Sequence, residues 1–282
     1  MSLPINLNPA DIKALALDLD GTVLGPEAAL SGRTLEAVNA CRERGLQLIV
    51  ATGRAIEAAE RFRVPLGAEG PMVYFNGAVV ADMPGARILN STLLDFEVVD
   101  FCIDLARSTG VYYQVFFPGT KENPRQLLAA EKAGVEREMY RNHTGIGAEI
   151  RDLKEAAAGF PGCIKSMFVA EPEVQDALRP KIEERFGDKI YIARTLRNFL
   201  EVMDCRVSKG RGLRFALECR GLKPEEIIAF GDEENDIPMF EAVRFSAAPA
   251  NAKDTVKARA DLVIGPNTED GVAVFLEEFF GL

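Results

Sequence analysis

Short apolar runs, each breaking into a polar or glycine-containing turn, recur near both ends of the chain. Ala14-Leu15-Ala16-Leu17 runs into Asp18, Leu46 to Ala51 into Thr52-Gly53-Arg54, and Met72-Val73-Tyr74-Phe75 into Asn76-Gly77. Towards the C-terminus, residues 226–230 run into Gly231-Asp232. Unbroken apolar runs of this length predict strands buried on both faces. Helical spacing lies between them. Ser31 is placed as an N-cap, Leu35, Val38 and Cys41 share a face, and Gly45 ends the helix. Residues 55–62, 209–219, 237–242 and 270–280 also read as helical, and 244–247 and 262–264 as short strands. Strands alternating with helices through short joins predict parallel βαβ units with right-handed crossovers.

The middle of the chain changes style. Residues 111–117, 164–170 and 189–203 carry aromatic and β-branched strand-like runs, while 98–108 and 173–186 are helical. The stretch 118–162 is looser, with glycine, proline and charge. The fold expected is α/β: a doubly wound, Rossmann-like parallel-sheet core of residues 1–81 and 201–282, with a smaller α+β module inserted at 82–200.

Composition narrows the function classes. The 282 residues are 48% hydrophobic and 27% charged, enough for a sizeable core with an ordinary charged surface. No apolar run approaches the ~18 to 20 residues of a membrane span. The first residues lack the basic start and apolar stretch of a signal peptide. The expectation is a cytoplasmic protein without a membrane partner. Five scattered cysteines without CxxC spacing read as reduced thiols, and a single histidine excludes a His-rich metal centre. A formal net charge of −10 argues against nucleic acid, which needs a basic footprint. An acidic chain handling phosphate needs a local remedy: a divalent cation, a lysine or backbone amides.

The strand ends supply one. If extended geometry continues past Leu17, Asp18 and Asp20 leave the C-terminal end of a strand on one side, the edge where open α/β sheets hold ligands. The Asp18 carboxylate can attack phosphorus and form an aspartyl-phosphate. Asp20 can protonate the leaving oxygen and later deprotonate the hydrolytic water. Thr52 and the Gly53 amide offer donors to phosphate oxygens, and Lys209, ahead of a helix, offers a point charge. Asp232 and Asp236, with Asn235 between them, can complete an oxygen-rich Mg²⁺ site. Each residue also has a structural reading. The acids cap turns, Thr52 caps a helix, Lys209 lies in solvent, and Arg54 pairs with Glu57 or meets phosphate.

In order along the chain, Asp18-Leu19-Asp20-Gly21-Thr22, Thr52-Gly53-Arg54, Lys209-Gly210 and Gly231-Asp232-x-x-Asn235-Asp236 resemble the four motifs of the haloacid dehalogenase-like superfamily. Phe75-Asn76-Gly77-Ala78, Asn251-Ala252 and Thr268-Glu269-Asp270-Gly271-Val272 resemble signatures of its Cof-type phosphatase branch. The resemblance implies a Mg²⁺-dependent hydrolase of small-metabolite phosphate monoesters, with the inserted module as an α/β cap that closes over the site and reads the substrate. It implies Asp18 as nucleophile and metal ligand, with the Asp20 carbonyl and Asp232 also ligating. Asp20 is then the acid/base, and Thr52, Gly53, Asn76, Asn235 and Lys209 hold the phosphate. Asp236 supports the metal or the lysine. Asp at position 20 favours phosphate esters over carbon–halogen bonds. A phosphotransferase or phosphomutase of sugar phosphates, and a non-catalytic phosphometabolite-binding protein, are the alternatives. Arg125, Arg141, His143 (in a loop) and Lys165 are the candidate cap contacts. The sequence leaves the metabolite and the oligomeric state open.

Overall fold

The computed structural model describes residues 7–119 and 126–282. The chain divides into two compact units, one formed by the chain up to Asn90 together with Ser208–Leu282, the other by Ser91–Val207. Both joins lie further along the chain than the expected 82–200, the first inside that range and the second beyond it. Residues 82–90 stay with the first unit because they continue a hairpin, and 201–207 stay with the second because its last strand runs through Asp204.

The first unit opens with β1 (Ala14–Leu17), α1 (Gly32–Glu43), β2 (Gln47–Val50), α2 (Ile56–Leu66) and β3 (Gly70–Tyr74), then β4 (Val79–Met83) and β5 (Arg87–Ser91). The second contains α3 (Phe96–Thr109), β6 (Tyr112–Phe117), β7 (Leu127–Ala130), α4 (Val135–Thr144), β8 (Glu149–Ile150) and α5 (Leu153–Ala157). It continues with β9 (Lys165–Val169), α6 (Pro172–Phe186), β10 (Ile190–Leu196) and β11 (Phe199–Asp204). The chain then returns through α7 (Lys209–Arg220), β12 (Ile227–Phe230), α8 (Ile237–Phe240), β13 (Phe245–Pro249), α9 (Asp254–Lys257), β14 (Leu262–Ile264) and α10 (Gly271–Phe280).

The core sheet has the order β14-β13-β12-β1-β2, and every pairing is parallel. A parallel bridge, Ala51 to Val73, adds β3 beyond β2. The central strands are buried along their whole length, β1 and β12 without an exposed residue. This is why their sequences run apolar instead of alternating. Ser31 caps α1 as expected, its hydroxyl accepting from the Thr34 amide at 3.0 Å. α10 closes the core with Phe275 edge-on to Phe230, ring centroids 5.5 Å apart. Truncating Phe275, 2% exposed, to alanine is expected to cost about 3–5 kcal/mol.

The second unit is a six-stranded sheet of order β10-β11-β9-β6-β7-β8, antiparallel except for β7–β8. The strand-like run 189–203 is two strands, β10 and β11, paired as an antiparallel hairpin. Part of the stretch expected to be loose, 118–162, is regular: β7, α4, β8 and α5 lie in it. Its high charge sits on exposed helix faces, which masks the apolar contacts underneath. No helix among the described residues is long and apolar enough to cross a membrane.

Candidate active site

All strands of the core sheet point the same way, so the turns after β1, β2, β3 and β12 gather at one edge. Parallel open sheets bind ligands at that edge. Asp18 follows β1, its amide still donating to the Phe230 carbonyl at 3.0 Å, and the residue is 4% exposed. Lys209 is the first residue of α7, in agreement with the helical reading of 209–219, and Ser208 takes the N-cap and accepts from the Arg211 amide. Its stem is enclosed and its ammonium donates to Asp18 Oδ1 at 2.6 Å and to Asp236 Oδ1 at 2.7 Å.

Asp236 carries two duties at once. Oδ1 accepts from Lys209, while Oδ2 accepts from the amides of Asp232 and Glu233, each at 3.0 Å. One oxygen of this aspartate thus fixes the turn before it and the other meets the lysine, while α8 receives no side-chain cap from it. Asp232 is held from the other side by the Thr22 hydroxyl, which donates to Oδ1 at 2.7 Å. Gly21, at φ +80°, leaves room for that carboxylate, since a Cβ there would lie 2.2 Å from Asp232 Oδ2. Thr22 lay in the quoted Asp18–Thr22 stretch without a role. Its hydroxyl beside a glycine was the available signal.

Asp18, Asp232 and Asp236 each offer an oxygen within 4.8 Å of the others, all buried. Burial pushes the Asp18 carboxyl well above its ordinary range, and Asp236 and Asp232 add to the rise against the pull of Lys209. Burial likewise pushes Asp232 up to about 6, opposed by the Thr22 hydrogen bond. Burial works against the Lys209 charge, but Asp18 and Asp236 outweigh it and raise the ammonium above its usual value. Three buried carboxylates around one ammonium leave excess negative charge, a donor set that fits a hard divalent cation.

A second group of residues lies on the turns after β2 and β3. Thr52 is 1% exposed, and its hydroxyl accepts from the Arg54 amide at 3.1 Å; this closes a turn and does not cap α2, whose N-cap is Ala55. The Asn76 amide donates to the Thr52 carbonyl at 3.0 Å and the Phe75 amide to the Arg54 carbonyl at 3.1 Å, fastening the two turns together. Asn235 Nδ2 donates to Asn76 Oδ1 at 2.9 Å, bringing that turn to the one after β12. Asn235 Oδ1 is buried without a hydrogen-bond partner. Phe75, Asn76 and Gly77 all have positive φ, and Gly77 is forced: a Cβ there would lie 2.1 Å from the Ser208 carbonyl oxygen.

Arg54 forks Asp20, with Nε to Oδ2 at 2.7 Å and Nη2 to Oδ1 at 2.6 Å. Asp20 is neither of the partners expected for Arg54, Glu57 or phosphate, because the pairing spans two strand ends that only the sheet brings together. Its remaining nitrogen, Nη1, is enclosed without a partner. Asp18 and Asp20, two residues apart, thus serve different partners. Farther along, Asn251 Nδ2 donates to the Gly21 carbonyl at 2.8 Å, and its Oδ1 accepts from the Asn267 amide at 2.9 Å.

Three of the four candidate contacts in the second unit lie among the described residues. Arg125 lies outside the described residues. Arg141 is exposed and pairs with Glu138. His143 sits on α4 instead of in a loop, exposed, with its ring 6.1 Å from that of Phe199. Lys165 is buried on β9, bonded to Glu201 at 2.7 Å. Glu201 had no signal in the sequence beyond being an acid in an apolar run.

Comparison with known proteins places this geometry. A family model described as haloacid dehalogenase-like hydrolase matches residues 15–276. The chain is 30% identical over 281 residues to 5-amino-6-(5-phospho-D-ribitylamino)uracil phosphatase YitU of Bacillus subtilis, covering 95% of this chain and 97% of that protein. It is 28% identical over 275 residues to pyridoxal phosphate phosphatase YbhA of Escherichia coli, covering 94% and 97%. A haloacid dehalogenase-like hydrolase from Bacteroides thetaiotaomicron has the same fold, with TM-score 0.85 and 24% identity over 95% of this chain and 100% of that one. The chain belongs to the haloacid dehalogenase-like hydrolases, in the Cof-type group, and is an enzyme acting as a phosphatase.

Proposed function

We propose that the enzyme hydrolyses the phosphate monoester of a small metabolite through an aspartyl-phosphate on Asp18, with Mg²⁺ as cofactor. The observation that carries this reading is the buried chain Asp18–Lys209–Asp236, with Lys209 Nζ 2.6 and 2.7 Å from the two carboxylates. Such a lysine pulls a desolvated nucleophile towards its ionised form and offers charge to the transferring group. The substrates for which the two relatives above are named, both phosphate monoesters of small metabolites, support the substrate class. A soluble metabolite as substrate fits a cytoplasmic enzyme.

Asp18 and Asp232, with the main-chain carbonyl of Asp20, would hold the metal, while Asp236 orients Lys209 and the turn carrying Asp232. Bound there, Mg²⁺ supplies charge neutralisation between the carboxylates and the phosphate. In the first step an Asp18 oxygen forms a bond to phosphorus, the ester P–O bond breaks, and Asp20 gives its proton to the leaving oxygen. In the second step Asp20 takes a proton from water, the water oxygen bonds to phosphorus, and the Asp18–phosphorus bond breaks. Free phosphate leaves and Asp18 regains its carboxylate. Thr52, the Gly53 amide, Asn76, Asn235 and Lys209 present donors to the phosphate oxygens; Asn235 and Asn76 already orient one another. The inserted unit reads the organic part of the ester.

A phosphate-release screen over a panel of metabolite esters, with Mg²⁺ present, tests the reading beside Asp18→Asn. Release by the wild type and none by the variant is the expected result. Release that the variant retains, or that a chelator leaves unchanged, overturns the role of Asp18 or of the metal.

A further inference from the structure

We propose that Phe62 is a positioning residue for the proton transfer: its ring face holds the Arg54 guanidinium in the orientation from which that arginine forks Asp20. The inference rests on the hydrolytic reading above, in which Asp20 gives and takes the proton.

A two-point contact fixes two groups relative to each other, not relative to the protein. Asp20 is not the anchor, since its side chain is 49% exposed against 6% for Arg54. The hold on the fold therefore comes through the arginine. Its backbone is fastened: the amide donates to the Thr52 hydroxyl at 3.1 Å, and the carbonyl accepts from the Phe75 amide at 3.1 Å. A fixed backbone still leaves a long side chain with many rotamers. Its head has little else to settle it, because Nη1 is enclosed without a hydrogen-bond partner.

Phe62 supplies what is missing. Arg54 stands just before Ala55, the N-cap of α2, and Phe62 lies roughly two turns into that helix. The Arg54 Cζ lies over the Phe62 ring, 4.9 Å from its centroid, and Phe62 is 6% exposed. A guanidinium over a ring face is attracted by the ring quadrupole, more strongly where water is excluded. Arg61 lies over the same ring at 4.6 Å, but that residue is exposed and its contact is weaker for this reason. The hydrogen bonds to Asp20 act along the edge of the guanidinium, whereas the ring acts on its face. Edge contacts set direction within the plane, and the face contact limits tilt out of it.

Phe62 is also one of the buried residues of α2, with Ile56, Ala59 and Leu66. If packing were its whole role, leucine or methionine would fill the place at a cost in stability but none in chemistry. If it orients Arg54, a side chain without a ring loosens the fork. The loss then falls on reactions that need a proton from Asp20. An alkoxide leaving group needs that proton, and nitrophenolate does not.

The test compares kcat/KM for propyl phosphate and p-nitrophenyl phosphate, a quantity that covers the steps through transfer to Asp18. Phe62→Leu is expected to lower the propyl value about 3- to 10-fold relative to the nitrophenyl value. Phe62→Tyr keeps the ring and is expected to hold that relative rate within about twofold of the wild type. In an Arg54→Met background, Phe62→Leu is expected to shift it by less than about twofold, because the group it acts through is gone. A loss shared equally by both esters, no loss, a tyrosine variant that behaves as the leucine one, or the same loss without Arg54 overturns the inference. If Phe62→Leu loses the wild-type circular dichroism, Phe62→Met carries the same comparison. No release from either ester by the wild type overturns the hydrolytic reading itself, and equal slowing of both esters in Asp20→Asn overturns the acid role of Asp20. Both are told apart from a failure of Phe62 because they are measured with Phe62 in place.

Discussion

The Arg54 guanidinium grips the Asp20 carboxylate at two points, 2.7 and 2.6 Å, with the arginine side chain 6% exposed and the aspartate 49%. One partner is sealed into the core and the other reaches into the open. The fork fixes where the acid/base carboxylate stands, because a two-point contact allows little rotation. Arg54→Lys keeps the charge but loses the fork. It is expected to slow alkyl phosphates roughly tenfold or more, and p-nitrophenyl phosphate far less, because a good leaving group needs no proton. Equal slowing of both, in kcat, would show that Arg54 acts on something other than Asp20.

Removing the nucleophile tests the centre directly. Asp18→Asn is expected to reduce kcat by at least about 10³-fold while circular dichroism stays that of the wild type. The variant takes one of three clustered carboxylates away from Lys209, which keeps Asp236 as a partner at 2.7 Å. Its metal-free melting temperature is therefore expected not to fall.

The same cluster makes stability depend on pH and metal together. Burial raises Asp18 well above its unfolded value and Asp232 from 3.8 to about 6. The folded, metal-free protein then binds more protons than the unfolded chain across that interval, and the stability these groups contribute below it is lost as pH rises through about 6. A cation at the carboxylates reverses the loss. Thermal melts with and without Mg²⁺ are expected to show a larger Mg²⁺ shift at about pH 8 than at about pH 5. A shift independent of pH would contradict the site.

The cysteines give a count that checks the fold. Cys41, Cys102 and Cys163 are buried, while Cys205 and Cys219 are exposed. Burial pushes the first thiol to about 11, the second to about 12 and the third well above its usual value. Because the thiolate is the reactive form, a thiol reagent is expected to modify Cys205 and Cys219 quickly in the native enzyme and all five after denaturation. Fast loss of Cys102 or Cys163 in the native protein would overturn the packing of the second unit.

Gly77 links two parts of the site. Its φ of +97° and the 2.1 Å that a Cβ would leave to the Ser208 carbonyl allow no side chain. Gly77→Ala is expected to cost about 2 kcal/mol or more in denaturant unfolding and to lower kcat, since the turn carrying Asn76 and the start of α7 carrying Lys209 must separate. An unchanged midpoint would rule out the contact.

Much of this protein was legible before folding. The core strands are buried on both faces, so their apolar runs and the turns that end them stand out in the sequence. Parallel order then makes every one of those turns converge on one edge, so Asp18, Thr52, Asn76 and Asp232 could be grouped from pattern alone. Local signals worked for the same reason: Ser31 is an N-cap because its own neighbours require one. What pattern could not supply was pairing over long separations. Arg54 with Asp20, Thr22 with Asp232, and Lys165 with Glu201 depend on which strand ends and faces come to lie side by side. Charge on exposed helices hid α4 and α5 inside a stretch that reads as loose. Which acid each base serves is set by distances of a few ångströms, and only the packed sheet determines those.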